Sequence, residues 1–559
     1  MISTGSKHGH LRPIQYVLLV IICLAAFLPG ISSLPPTDRD EARFVQATHQ
    51  MVETGNYIDI HFQNRTRYKK PVGIYWLQSA AVAVSGYGAD APIWVYRLVS
   101  VAGATLAVIG VGWLGAWLFG GMAGFLAAVV QAAILMLAFE GRIAKTDAFL
   151  LATVVFAQAA LATLWVRARE ERPSGWAAPL TFWFATGVGI MIKGPMTPLV
   201  SLLTVLSLSL FYRQWAWLKR LKPAAGIAIV VVLAAPWLIL ITLKSGGAFW
   251  SQSVGKDLMG KVAGAAESHG APPGFYALIF VLFMWPFGLM ALRGGLSIVT
   301  RFRADPRLAF LVAWYVPYWI VVEALPTKLP QYILPAYPAI VLALAWALQS
   351  GYLDTPFERR WQRWLEWLTF AGHVVATLAI AALAVGLPTW LTGRFSWAGA
   401  AVAVTALIAG TFASGRLMQG EFRRALFFSA GAAIVTFGLL MTFVVPSLTP
   451  VWLSPAITRA YEAHRPCPDS RLASAGYNEP SLVFLAGTDT FLTDGTGAAD
   501  YLVSHRACGI AAVTNREKKD FLSALSAHGA AAQPVETIHG INYSKGRRLA
   551  ITFYTLAGK

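Results

Sequence analysis

The chain has 559 residues, of which 56% are hydrophobic and 13% charged, with a formal net charge of +18. Its mean hydropathy is +0.56. Soluble domains carry about a quarter charged residues, so this composition excludes an ordinary soluble enzyme and implies a polytopic membrane protein. The basic excess could suit nucleic acid, but it is spread over the ends of loops between apolar runs, as membrane topology requires, and nucleic acid is set aside as a partner.

Apolar runs long enough to cross a hydrocarbon core of ~30 Å recur along most of the chain. Thirteen spans are expected, at about 13–31, 92–119, 122–139, 148–166, 178–192, 195–211, 223–243, 275–292, 308–325, 332–348, 368–387, 397–412 and 425–445. Lys and Arg are denser in one alternating set of segments, including Arg167, Arg169, Arg172, Arg213, Lys219, Arg220 and Lys222. Basic loops stay on the cytoplasmic side, which puts the N-terminus inside and the tail after Val445 outside. The first span has a basic flank like a signal peptide, but no small-residue cleavage site follows, and it reads as retained.

Charge on the outer side concentrates first in the loop after span one. From Asp40 to about Gly55, Phe44, Val45, Met51 and Val52 return at helical spacing with polar residues between them, the pattern of a helix lying on the membrane surface. Asp38, Asp40 and Glu41 cluster at its amino end, where one acid would be enough to cap the helix. The next stretch, Arg65 to Trp76, brings Arg65, Arg67, Lys69 and Lys70, then a second amphipathic segment from Val72 to Ser85. Such a cluster can attract lipid headgroups, but it faces away from the anionic cytoplasmic leaflet, and a phosphate-binding role is the stronger reading. Arg142 to Asp147, Lys193-Gly194-Pro195, Glu267 with His269, and Lys328 to Tyr332 add ionisable groups on the same side. Each could be a snorkelling helix end; together, at the membrane edge, they favour a functional site. Glu267 and His269 offer oxygen and nitrogen donors for zinc, or simply bond locally.

At about Pro446 continuous apolar runs give way to Gly, Asn, Asp and Ser, and a small mixed α/β domain is expected. Strands are expected at 481–487, 501–504, 510–514 and 548–554 and a helix at 516–525. Cys23 lies in the first span, whereas Cys467 and Cys508 share the exported tail and are expected to pair there. The fold class is therefore an all-α polytopic membrane protein with outer juxtamembrane helices plus a small C-terminal α/β soluble domain. Residues 1–445 form the transmembrane part, with an outer first loop at 33–91, and 446–559 the exported part.

Asp40-Glu41-Ala42-Arg43 on a juxtamembrane helix, followed by Tyr68-Lys69-Lys70-Pro71 and Tyr75-Trp76, resembles the polytopic glycosyltransferases of the GT-C class. Within that class the match is to the bacterial branch of protein O-mannosyltransferase-like proteins and lipid A aminoarabinose transferases. Arg142 to Asp147, Lys193-Gly194-Pro195 and Lys328-Leu329-Pro330-Gln331-Tyr332 match further loop motifs in the same order, so the resemblance covers roughly residues 33–340. Lys69 stands where enterobacterial members tend to carry Glu, which puts a metal-binding role there in doubt. The resemblance implies transfer of a sugar from a polyprenyl phosphate to an acceptor on the outer face of a bacterial inner membrane. For the aminoarabinose branch the acceptor is lipid A, and the outcome is resistance to polymyxin and other cationic peptides.

A phosphate leaving group needs positive charge and no proton from a general acid. Arg43, Lys70, Lys193 and Lys328 are the expected donor-phosphate ligands, with Tyr332 a neutral hydrogen-bond donor, and Asp40, Glu41 and Asp147 the expected catalytic acids. No cofactor is required, zinc at Glu267 and His269 being optional. Two other readings are an O-mannosyltransferase-like enzyme with another outer acceptor and a lipid or sugar transporter. A transporter would favour midplane sites and internal repeats.

Overall fold

The computed structural model describes residues 9–260, 270–353, 357–417 and 421–556. Among them, eight helices are long and apolar enough to cross a membrane by length and composition, and four more are apolar but shorter. The protein is mostly helical and multi-pass.

Helix α1 (Pro13–Phe27) is followed by the surface helices α2 (Asp40–Thr54) and α3 (Gly73–Ser85). α2 has Asp40 and Glu41 in its first turn, complementing the helix dipole, and it ends on Gly55 at φ 66°, a left-handed conformation that costs glycine little. A short hairpin of β1 (His61–Phe62) and β2 (Arg65–Thr66) links the two surface helices. The apolar core of the bundle begins with α4 (Ile93–Phe119), α5 (Gly121–Ala133), α6 (Leu135–Glu140) and α7 (Asp147–Arg169). α4 and α5 approach closely because a Cβ on Gly124 would meet the Gly112 carbonyl oxygen at 2.3 Å, the small-residue contact that lets apolar helices pack backbone to backbone.

α8 (Ala177–Lys193), α9 (Met196–Tyr212) and α10 (Pro223–Ser245) follow, then α11 (Phe275–Phe283), α12 (Gly288–Arg301), α13 (Pro306–Ala324) and α14 (Tyr337–Gln349). α15 (Arg360–Thr392), α16 (Trp397–Leu417) and α17 (Phe422–Leu439) complete the membrane part.

Two expected spans are interrupted. The run expected at 122–139 divides at Ile134, where ψ turns to 141°, and the run expected at 275–292 divides between Phe283 and Gly288. The two interruptions meet, the Leu135 N–H donating to the Trp285 carbonyl at 3.3 Å. Irregular backbone is tolerated within an apolar layer when protein groups satisfy it in this way.

Beyond α17 the chain forms α18 (Leu453–His464), β3 (Leu472–Ala475), α19 (Pro480–Ala486), β4 (Phe491–Thr493) and α20 (Gly495–Ser504). It ends with β5 (Ile510–Thr514), α21 (Lys518–Ala527), β6 (Ala532–Asn542) and β7 (Arg547–Leu556). The sheet order is β4-β3-β5-β7-β6, with β3 parallel to β4 and β5 and the other pairs antiparallel. Alternation sends Leu472, Ile510, Ala512, Ile551 and Phe553 to the face covered by α18 and α19, and Ala473, Ala475, Ala511, Val513 and Tyr554 to the face covered by α20 and α21.

Here the structure corrects two sequence expectations. Residues 481–487 and 501–504 are helical, not strands: Pro480 opens α19, and the Asp494 side chain caps α20 by accepting from the Gly497 N–H at 2.8 Å. The Cα atoms of Cys467 and Cys508 are 5.3 Å apart and the pair is disulfide-bonded, while Cys23 is buried and free.

Candidate active site

The loop between α1 and α2 is held from beneath by one ion pair. Arg97 on α4 is fully buried, and its Nε and Nη2 donate to the Glu41 carboxylate at 2.8 and 2.9 Å. The same guanidinium donates to the carbonyls of Ile31, Leu34 and Pro35. Glu41 also accepts from the N–H and hydroxyl of Thr37 at 2.9 and 2.8 Å and from the Ala144 N–H at 2.8 Å. Burial raises the Glu41 pKa, but the Arg97 charge and these hydrogen bonds outweigh it and hold the carboxyl below the usual glutamate range. Both oxygens are engaged by donors, so the catalytic part expected for Glu41 is corrected to that of a pin joining the first loop, α4 and the loop before α7.

The next residue to the N-terminal side faces the other way. Asp40 is exposed on the wall of a cavity of about 530 Å³ at one end of the helical bundle. Arg43, one turn on, lines the same wall, and Arg67 and Lys69 come from the stretch after β2, the Arg67 guanidinium lying 5.1 Å from the centre of the Phe44 ring. Lys70 pairs with Asp257 at 2.7 Å. At the back, Lys193 at the C-terminus of α8 bonds Asp147 at the N-terminus of α7 at 2.6 Å and lies 5.5 Å from the centre of the Tyr332 ring. Asp147 therefore orients a cation. Lys145, also on the wall, bonds the buried Glu140 at 3.0 Å. The lining holds seven basic and five acidic side chains, an excess of positive charge in a partly enclosed space.

The last wall comes from the C-terminal region, as Trp452 and Tyr543. Their rings meet edge to face with centroids 5.7 Å apart. This region is docked on the first loop by polar contacts. The Asp38 N–H donates to the Tyr543 hydroxyl at 2.6 Å, Arg39 donates to the Ser544 carbonyl at 2.8 Å, and the Ser481 hydroxyl donates to the Asp38 carboxylate. Further along α2, Gln46 and Glu53 both bond the Thr488 hydroxyl. Burial, with the charge of Glu479 added, pushes the Asp38 pKa up to about 6 in spite of the Ser481 hydrogen bonds.

Of the residues expected from sequence, Asp40, Arg43, Lys70, Asp147, Lys193 and Tyr332 converge on one cavity. Lys328 does not: it is buried and its ammonium turns back to the Leu325 carbonyl at 2.7 Å, so its expected phosphate contact is corrected to a backbone cap. Glu267 and His269 lie outside the described residues. Among the described residues no group of three or more His, Cys, Asp and Glu side chains could hold a metal ion. Sequence reading passed over Arg97, Asp257, Trp452 and Tyr543. An arginine inside an apolar run is a signal that could have found Arg97; the other three carry no local pattern.

Residues 69–240 match the family described as dolichyl-phosphate-mannose-protein mannosyltransferase. An undecaprenyl phosphate-alpha-4-amino-4-deoxy-L-arabinose arabinosyl transferase 2 from Pseudomonas fluorescens is 26% identical over 337 residues, 59% of each chain. The enzyme of that name without the numeral from Aeromonas salmonicida is 27% identical over 381 residues, 65% of each chain. The chain thus spans about three fifths to two thirds of the length of these relatives. The crystal structure of ArnT from Cupriavidus metallidurans bound to undecaprenyl phosphate matches with a TM-score of 0.72 at 16% identity, over 96% of this chain and 97% of that one. The apo oligosaccharyltransferase of Archaeoglobus fulgidus matches with a TM-score of 0.53 at 13% identity, over 90% of this chain and 69% of that one. In fold, and in sequence over much of its length, the chain is similar to the GT-C glycosyltransferases and lies close to the aminoarabinose transferases.

Proposed function

We propose that this protein transfers aminoarabinose from undecaprenyl phosphate to a phosphate of lipid A. The bond from the sugar C1 to the donor phosphate oxygen breaks as a bond from C1 to the acceptor phosphate oxygen forms, and the electron pair leaves on the donor phosphate. The observation that carries the reading is the cation-rich cavity that Lys70 and Arg43 line together with Asp40. Lys70 and Arg43 hold the departing phosphate, with Lys193 kept in place by Asp147 and Tyr332 beside it. Asp40 takes the sugar amine or positions the acceptor, since a phosphate acceptor is already an anion and needs no base.

The names of the similar proteins support the donor and the sugar. Thirteen crossings, a cytoplasmic N-terminus and a division into residues 1–445 and a periplasmic 446–559 complete the proposal, with the cavity on the periplasmic side of the inner membrane. The family match at 69–240 favours one second reading, transfer from a polyprenyl-phosphate sugar to a different periplasmic acceptor.

The deciding experiment is mass analysis of lipid A from cells lacking the gene and from the same cells complemented with it. One aminoarabinose increment should appear only on complementation. Lipid A unchanged by complementation, with purified protein in vesicles also inert on aminoarabinosyl undecaprenyl phosphate and lipid A, would remove this reading.

A further inference from the structure

A second cavity of about 370 Å³ lies far from the first, between α1, α4, α7 and the start of α8. Arg167 marks its position. It stands twenty residues after Asp147 on the same continuous helix, which at 1.5 Å per residue is about 30 Å away, the thickness of the hydrocarbon core. The groove therefore opens in the leaflet opposite the candidate active site.

Its chemistry is graded along its length. Gly110 on α4 and Ala159 on α7 line its floor, where the two helices pack closely: a Cβ on Gly110 would lie 2.7 Å from Val155 Cγ1. Trp113 and Trp117 form an aromatic wall, and Trp113 is 37% exposed. Thr163 and Arg167, one helical turn apart on the face of α7 that lines the groove, make its end polar and then cationic. The neighbouring Arg169 is otherwise occupied: it donates to Gln214 at 2.9 Å and its guanidinium lies 5.2 Å from the centre of the Tyr212 ring. Arg167 is half-buried; its carbonyl accepts from the Arg172 N–H, but among the described residues its guanidinium has no hydrogen-bond or ion-pair partner.

We propose that this groove holds one anionic phospholipid, its acyl chain along the Trp113 and Trp117 wall and its phosphodiester headgroup on Arg167. The charge complementarity argues for the occupant. A half-buried guanidinium at the edge of the apolar layer needs an anion, the cavity beside it is lined by Ile109, Phe156 and Ala160 as well as the two tryptophans, and a phospholipid supplies an anion and an apolar chain in one molecule. Tryptophan at that depth suits the boundary between acyl chains and headgroups. The inference does not depend on the transferase reading.

The test is native mass spectrometry of the full chain, purified in mild detergent and supplied with phosphatidylglycerol or phosphatidylcholine of matched acyl chains. The unaltered protein should keep one phosphatidylglycerol at concentrations where phosphatidylcholine is lost, and millimolar inorganic phosphate should not strip it. Arg167→Gln removes a charge-assisted contact and should weaken retention about tenfold or more, whereas Arg167→Lys and Arg169→Gln should keep the lipid. Equal retention of both lipids by the unaltered protein overturns the proposal, whatever the variants do. So does an Arg167→Gln protein that keeps phosphatidylglycerol as well as the unaltered chain, or release of the lipid by phosphate alone, which would make this a site for the free anion.

Discussion

Replacing Glu41 by Gln is nearly isosteric, and for most surface carboxylates it would be mild. At this position it should be severe for the stability of the first loop. One carboxylate oxygen faces Arg97 Nε and the Ala144 N–H, and the other faces Arg97 Nη2 and the N–H and hydroxyl of Thr37. Whichever way the amide is turned, its NH2 group meets donors, and the charge of a fully buried guanidinium is left unmatched. Breaking a buried pair from one side costs about 3–5 kcal/mol. Thermal unfolding in detergent, followed by tryptophan fluorescence, should show a clear loss for Glu41→Gln and for Arg97→Met. The double variant should lose less than the sum, because neither leaves the other's charge stranded. The pH dependence has a sign as well. A carboxyl with a lowered folded pKa gives stability that is complete above its ordinary value of about 4.3 and is lost as pH falls through the folded value. Glu41→Gln should flatten that acid limb. A Glu41→Gln protein that melts like the unaltered chain but has lost its activity would refute the reasoning and return Glu41 to the catalytic acids.

Three further outcomes are expected. Lys70→Ala should weaken binding of the lipid-linked donor and of bare undecaprenyl phosphate alike, by about tenfold to a hundredfold, measured by ligand titration of the purified protein. Asp40→Asn should sharply reduce transfer while leaving binding of the bare phosphate lipid nearly intact; near-normal lipid A modification would remove Asp40 from the catalytic residues. Asp38 has a raised folded pKa, so its contribution to docking of the C-terminal region is complete below about 4 and is lost as pH rises through about 6. Hydrogen exchange at residues 481–488 and 540–545 should quicken over that interval, and Asp38→Asn should abolish the change.

The membrane helices were legible because an apolar run has only one way to satisfy its backbone in lipid, and α4, α7 and α10 fall within a few residues of their expected limits. The interruption at Ile134 was not legible, since Ala132 to Met136 is continuously apolar; its partner is the Trp285 carbonyl, far along the chain. The C-terminal errors have a different source. Runs as short as Ser481 to Gly487 look alike as strand or buried helix, and the deciding signals were Pro480 and Asp494 at the starts of the helices. At the cavity, sequence found residue types that are costly at a membrane edge, such as Asp40 and Lys70, but could not tell a carboxylate facing the cavity from its neighbour Glu41 facing Arg97. Their sidedness is set by the start of α2, not by composition.

Trp452 and Tyr543 also impose an order on biogenesis. Every other residue on the cavity wall has been translated by Val445, but the cavity lacks one side until the sheet after it has formed and Tyr543 has met Asp38. A ribosome that stalls between Val445 and Tyr543 therefore releases a membrane-inserted bundle with its charged groups open to solvent. Completion of the site is thereby tied to the sheet that carries Tyr543, which must first assemble around its own core.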